Sequence, residues 1–277
     1  MGNTNQTELF KIAAYQGPIC EGNLSQNLVT VLECLREAEN DQVDILCMPE
    51  CFLHGYFATR EEALQYSIDL KSAEFSELLD PFKPFHYTTT LIGLNERVGE
   101  LLYNTVIVIE AGKLMGKYRK AYTYAPYDYY ELGVDFPVFE KRGVPFSIII
   151  CYDCLFREPA LISALKGAKI LFCPMFNRVE KTEKSASFLE SNAHFITRAF
   201  DTNCWLVCSD IVWESDTHTC PGYATILCGE GRVVVASEPF KTRLLTYAIP
   251  MEGLLKPKKK RFFGNRTLTE LLCDTLR

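Results

Sequence analysis

The chain has 277 residues, of which 48% are hydrophobic, with a formal charge of −6 and a pI near 5.4. That is ample material for a large core. The acidic balance argues against a general electrostatic affinity for nucleic acid, which needs a clustered basic face. No stretch reaches the roughly 18 apolar residues a membrane helix needs, and "MGNTNQTELFKIAAYQ" lacks a basic region followed by an apolar run. The expectation is a cytoplasmic protein whose twelve cysteines are free thiols rather than a disulfide framework.

The elements follow in chain order. Leu9 to Tyr15 read as a strand, and Leu24, Leu28, Val31, Leu32, Leu35 and Ala38 then recur at helical spacing. "VDILCMPE" is a short apolar run that stops at Pro49 and delivers Glu50 to a loop. "TTTLIGLNERV" and "YNTVIVIEAGKLMGKYRK" read as sheet, the latter a hairpin turning at Ala111-Gly112. "FSIIIC" is a strand, with Ile148 to Ile150 leading into Cys151. "EPALISALKG" has Pro159 near a helix start and Gly167 at its end. "KILFCP" is a strand, "SASFLESNAHFITRAFDTN" a helix, and "CWLVCS", "GYATILC", "RVVVAS" and "RLLTYAIP" are further strands. Strands with interspersed helices and no linker make one layered α/β domain over residues 1–255. Residues 256–277 form a basic tail with a short amphipathic helix.

Charged or nucleophilic residues just past apolar strands are the candidates for chemistry, because strand ends hold side chains rigidly where loops build a site. Glu50, Lys120 and Cys151 are so placed. A cysteine nucleophile needs a base, which a carboxylate can supply, and a lysine would face the oxyanion formed on attack at a carbonyl. Taken singly, each has a plain structural reading: a buried cysteine, a cap, a solvated lysine. Spacing alone does not join them.

Three segments do. "MPECFLHGY", "GKYRKAY" and "CYDCLFRE" resemble, in order and separation, the signature segments of the nitrilase superfamily of carbon-nitrogen hydrolases. "RAFDTN" and "PGYATILCGEGRVVVAS" extend the resemblance across about Leu9 to Pro250. It implies a four-layer α-β-β-α sandwich with Glu50 as general base, Lys120 as stabiliser of the tetrahedral intermediate and Cys151 as nucleophile. It further implies the backbone N–H of Tyr152 as an oxyanion donor, no metal or organic cofactor, and a homodimer or larger even assembly on which the tail packs. The expected substrate is a small amide or carbamoyl compound, with no nucleic-acid or membrane partner.

Departures from the family pattern qualify this. A second carboxylate is expected after the lysine, and Asp128 aligns better there than Glu131. Leu155 stands where carbamoyl amino-acid hydrolases carry a carboxylate-gripping arginine, which favours neutral or amine-bearing amides unless Arg157 swings into the pocket. Asp153 and Glu158 read as structural carboxylates that orient the turn, and "CYD" in place of Cys-Trp-Glu points to the amide side of the family. His54 is a candidate to line the pocket near Glu50. Cys151 and Cys154 also form a C-x-x-C, but no second pair or histidine pair accompanies it to make a zinc site, and no histidine context suits a papain-like protease. The reading from a different class is a drifted member that binds a metabolite or partner without turnover.

Overall fold

A computed structural model describes residues 8–125, 127–182 and 192–256. Residues 257–277, nearly all of the predicted tail, lie outside the described residues, as does the first part of the helix predicted before Ala193. The first half of the chain runs β1 (Leu9–Pro18), α1 (Leu24–Asn40), β2 (Ile45–Cys47), α2 (Arg60–Gln65), α3 (Ala73–Leu79), β3 (Thr89–Val98), β4 (Leu101–Glu110) and β5 (Lys113–Arg119). The second half runs β6 (Phe139–Lys141), β7 (Val144–Ile148), α4 (Arg157–Leu165), β8 (Ile170–Pro174), β9 (Val179–Glu180) and α5 (Ala193–Thr202). It ends with β10 (Trp205–Glu214), β11 (His218–Cys220), β12 (Thr225–Leu227), β13 (Val233–Ala236), β14 (Arg243–Pro250) and α6 (Met251–Leu255).

The main strand order is β5-β4-β3-β2-β1-β10-β8-β7-β6. The end of β1 joins β10 in parallel at Gln16, Gly17 and Pro18, while β14 pairs antiparallel with β1 over its length. At this junction the mixed sheet curls back, so that its two halves face each other. Three buried clusters record the layers. Phe10, Ile12 and Ile45 from one half meet Phe146, Ile148 and Phe172 from the other. Val31, Leu35 and Ala38 of α1 pack with Ala13 and Leu46 on the outer face of the first half. Ala160 of α4 and Phe195 and Ala199 of α5 pack with Leu171 and Leu206 on the outer face of the second. The architecture is therefore the α-β-β-α sandwich. Full burial of each of the valine, leucine, isoleucine and phenylalanine side chains among these is worth about 1.5–3 kcal/mol.

Two local features set up the site. Asn23 caps α1 by accepting from Gln26 N (3.0 Å). One turn on, buried Asn27 donates to Leu53 O (3.1 Å), pinning the loop after β2. Gly93 in β3 lies against that same loop: a Cβ there would sit 2.4 Å from Cys51 N and 2.5 Å from Pro49 O. Only glycine lets the strand approach this closely. β7 ends at Ile148, earlier than the apolar run suggests, because Asp153 N bonds back to Ile150 O (2.9 Å) and opens a 3-10 turn over Cys151–Leu155. Among the described residues no helix is long and apolar enough to cross a membrane.

Candidate active site

Glu50, Lys120 and Cys151 converge from the ends of β2, β5 and β7. β5 is reached from β3 through two antiparallel reversals, so it runs in the direction of β2 and the two strands end on the same side. Lys120 Nζ donates to Glu50 Oε1 at 2.6 Å, and the Nδ2 of Asn104 in β4 donates to the same oxygen at 2.7 Å. Glu50 Oε2 is buried with no hydrogen-bond partner. Both charged residues are buried, at 0% and 1% exposure, a placement tolerated only because each has the other. Burial is the largest influence and depresses the lysine, but Glu50, Tyr56 and Cys151 together outweigh it and hold Lys120 well above its ordinary value.

Cys151 has a left-handed backbone, φ 43°, which a non-glycine residue adopts at a cost. The sharp turn brings Cys151 to the wall of a cavity of about 680 Å³ that Lys120, Tyr152 and Leu155 also line. Cys151 is half-buried, and of the described cysteines only Cys20 shares that accessibility. Burial and then the charge of Glu50 push its thiol well above the usual range, against the opposing pull of Lys120. At neutral pH it rests as a thiol and needs a base to become a nucleophile.

The two turns are tied together by Asp153, expected from sequence to orient only its own. It is fully buried. One oxygen accepts from Ala121 N (3.1 Å) and Tyr122 N (2.8 Å), just past the lysine. The other accepts from Ile150 N (2.9 Å), just before the cysteine, and from Tyr118 Oη (2.8 Å). Burial raises this carboxyl to about 6 in spite of those bonds and of nearby Lys120.

The other sequence candidates fall into two groups. Tyr152 lines the cavity with its ring edge-on to Tyr124 (5.2 Å). Asp128, Glu131, His54 and Arg157 are not on the cavity wall. Asp128 and Glu131 are exposed on the loop after β5, where Glu131 N is held by Leu102 O (2.8 Å). His54 is buried off the wall, and burial lowers it to about 4, so the ring is neutral. Arg157 opens α4 half-exposed, its Nε 3.8 Å from Asp201 of α5, and does not swing into the cavity.

Sequence reasoning missed Asn104 and Arg178. Arg178 lies four residues past β8 and lines the cavity. Its guanidinium stacks over Trp213 (4.3 Å) and Phe176 (4.8 Å). The preceding Asn177 is fixed by buried Asp210, to which it donates from Nδ2 (2.9 Å) and from its backbone (3.2 Å). The strand-end rule that picked out Glu50, applied to "KILFCPMFNRVE", points to this segment as well. Among the described residues no group of His, Cys, Asp and Glu is arranged to hold a metal ion.

Comparison with known proteins decides the family. The model of the family described as carbon-nitrogen hydrolase matches residues 11–256. The chain belongs to that family. It is similar to a nitrilase from Pyrococcus abyssi, with 31% identity over half of this chain and 55% of that protein. A glutamine-dependent NAD(+) synthetase from Xylella fastidiosa is 25% identical over 86% of this chain, which spans only 44% of that longer protein. The 2-oxoglutaramate amidase of Bacillus subtilis is 27% identical, covering 81% of this chain and 85% of its own. Among solved structures, an amidase from Nesterenkonia superposes with a TM-score of 0.80 at 18% identity over 99% of both chains, which establishes the shared fold.

Proposed function

We propose that this hydrolase cleaves the carbon-nitrogen bond of a small amide through a thioester on Cys151. The observation that carries the reading is the Lys120–Glu50 contact of 2.6 Å, with a second donor from Asn104, next to a half-buried thiol on the cavity that Lys120 also lines. Glu50 Oε1 is occupied twice, so Oε2 is the atom available as base. It takes the Cys151 proton as the sulfur attacks the amide carbon. The oxyanion that forms faces the Lys120 ammonium and the Tyr152 backbone N–H. Collapse breaks the C–N bond, and the proton held by Glu50 leaves with the amine as ammonia. Water deprotonated by Glu50 then attacks the thioester, releasing the acid and restoring the thiol. The same steps serve a carbamoyl substrate.

Ammonia release from a panel of small amides and carbamoyl amines tests this. The parent should turn over members of the panel, and Cys151→Ala should stay folded and release none. Hydrolysis that survives in the alanine variant defeats the assignment. The reading includes a cytoplasmic homodimer formed through α4 and α5, supported by exposed Leu165, Ile196 and Phe200 on those two helices. Light scattering should find Leu165→Glu shifted to the monomer. A parent that is already monomeric removes the dimer from the proposal.

A further inference from the structure

We propose that Arg178 is the specificity-determining residue of this site and receives a carboxylate carried by the acyl part of the substrate. The substrate class is then a monoamide of a dicarboxylic acid. The inference rests on the amidase reading and adds to it what the amide must carry.

The first argument is the inventory of cations on the wall. Among the described lining residues these are Lys120 and Arg178. Lys120 is committed to Glu50. His194 also lines the cavity, but burial and then Arg198 lower it to about 4, so it is neutral at physiological pH. Arg157, the cation the sequence would nominate, is off the wall. Arg178 is left as the group able to meet an anion.

The second argument is satisfaction. The guanidinium donates from Nη2 to Glu21 Oε1 (2.6 Å) and from Nη1 to Tyr56 O (3.4 Å), while its Nε is buried with no partner. The hydroxyl of Tyr56, on the same wall, is buried and unpartnered as well. Burial holds that phenol well above its usual value, so it remains a donor. Two buried donors without acceptors are costly until a ligand supplies one, and a site built this way discriminates against analogues that lack the acceptor. A carboxylate has lone pairs for both, and a guanidinium N–H is the matched donor for it.

The third argument is preorganisation. Stacking on Trp213 and Phe176 and the anchoring of Asn177 by Asp210 fix the guanidinium before any ligand arrives, so little side-chain entropy is lost on binding. Two acidic groups oppose the assignment and belong in its test. Glu21 already shares the guanidinium, and Glu180 lies exposed on the wall. Glu21 is partly solvated, at 26% exposure, so its charge is screened more than that of a ligand enclosed in the cavity.

The experiment measures kcat/KM for ammonia release by the full chain. Its substrates are succinamate, glutaramate and adipamate, neutral primary amides of matched length, and the matched amine-bearing amides. The parent should favour its best carboxylate amide over the matched neutral one by about 10-fold or more. Arg178→Met should lower that ratio by about 10- to 100-fold, chiefly through KM. Arg178→Lys should lower it less, and Glu21→Gln should raise it. Using the ratio removes any general damage common to both substrates. A parent that hydrolyses neutral or amine-bearing amides equally well or better overturns the Arg178 assignment while leaving the amidase reading intact. So does an Arg178→Met ratio equal to the parent's. Failure of the parent to release ammonia from any amide overturns both.

Discussion

Asp153→Asn is the sharpest test of how the site is held together. The aspartate accepts four hydrogen bonds, two on each oxygen. In its better orientation an asparagine keeps the Ala121 and Tyr122 bonds and turns its NH2 toward Tyr118 and Ile150. The Tyr118 hydroxyl can rotate to accept, but the Ile150 N–H cannot, and one unpaired buried donor costs about 1–3 kcal/mol. Against this stands the charge. The folded carboxyl is raised to about 6 from an ordinary 3.8, chiefly by burial. A raised folded value contributes stability that is fully present below the unfolded value and lost as pH rises through the folded one. Asp153 therefore loses about 2–3 kcal/mol of its contribution between roughly pH 4 and pH 7.5, and asparagine, which does not titrate, loses none. The variant should be clearly less stable than the parent near pH 4, and the gap should close by that amount near pH 7.5. Urea unfolding at several pH values reads this directly. A gap that stays constant, or widens toward neutral pH, refutes the claim that burial governs this carboxyl. Activity should fall even where stability matches, because the freed Ile150 N–H loosens the turn that aims Cys151.

Two more tests address the base and its support. Glu50→Gln should lower kcat/KM for ammonia release by about 100-fold or more at neutral pH without slowing alkylation of Cys151 by iodoacetamide, since the base for the chemical step is lost while the negative charge that adds to burial in raising the thiol goes with it. Ammonia release at the parent's rate counts against Glu50 as the base, and alkylation of Cys151 that slows, as read by peptide mass spectrometry, counts against its charge as a cause of the raised thiol. Gly93→Ala drives a methyl into the backbone at Pro49 and Cys51. It should cost about 1–3 kcal/mol in urea unfolding and depress kcat, and unchanged values in both would mean that the loop carrying Glu50 yields more easily than its contacts indicate.

The ends of apolar runs were readable because burial on both faces of a strand leaves a continuous signal, and the stop at Pro49 or Cys151 marks where the run gives way to a turn, although burial itself continues through Glu50 to Tyr56 and at Asp153. The resemblance then joined three strand ends that spacing alone leaves separate. What escaped depends on tertiary contact. Asn104 sits within a strand and matters only because β4 lies beside the Glu50 loop. Gly93 reads as a weak point of a strand until the backbone packed against it is seen. The short β6, β9 and β11 and the helices α2 and α3 carry too few residues for a period to emerge. The true end of β7 was overrun because Ile149 and Ile150 are as apolar and buried as the strand before them, while a hydrogen bond to Ile150 O has already turned the chain.

The site uses one device twice. Asp153 gathers the backbone N–H groups beside Lys120 and Cys151, and Asp210 gathers those of Asn177, Ile211 and Tyr223. Both carboxylates are fully buried, and burial raises both to about 6. Each therefore reduces stability at neutral pH in exchange for a fixed loop. The left-handed backbones at Cys51 and Cys151, next to the proposed base and at the proposed nucleophile, add about 1–3 kcal/mol of strain each. Such conformations persist only where surrounding bonds over-determine them, and the bonds that do so here are those of Asp153 and of the β3 backbone beside Gly93. Because the two carboxylates anchor different loops, the turns that carry Lys120 and Cys151 and the segment that carries Arg178 are fixed independently. In this sequence the former stand in recognisable segments, while the latter, on the loop after β8, carries no motif.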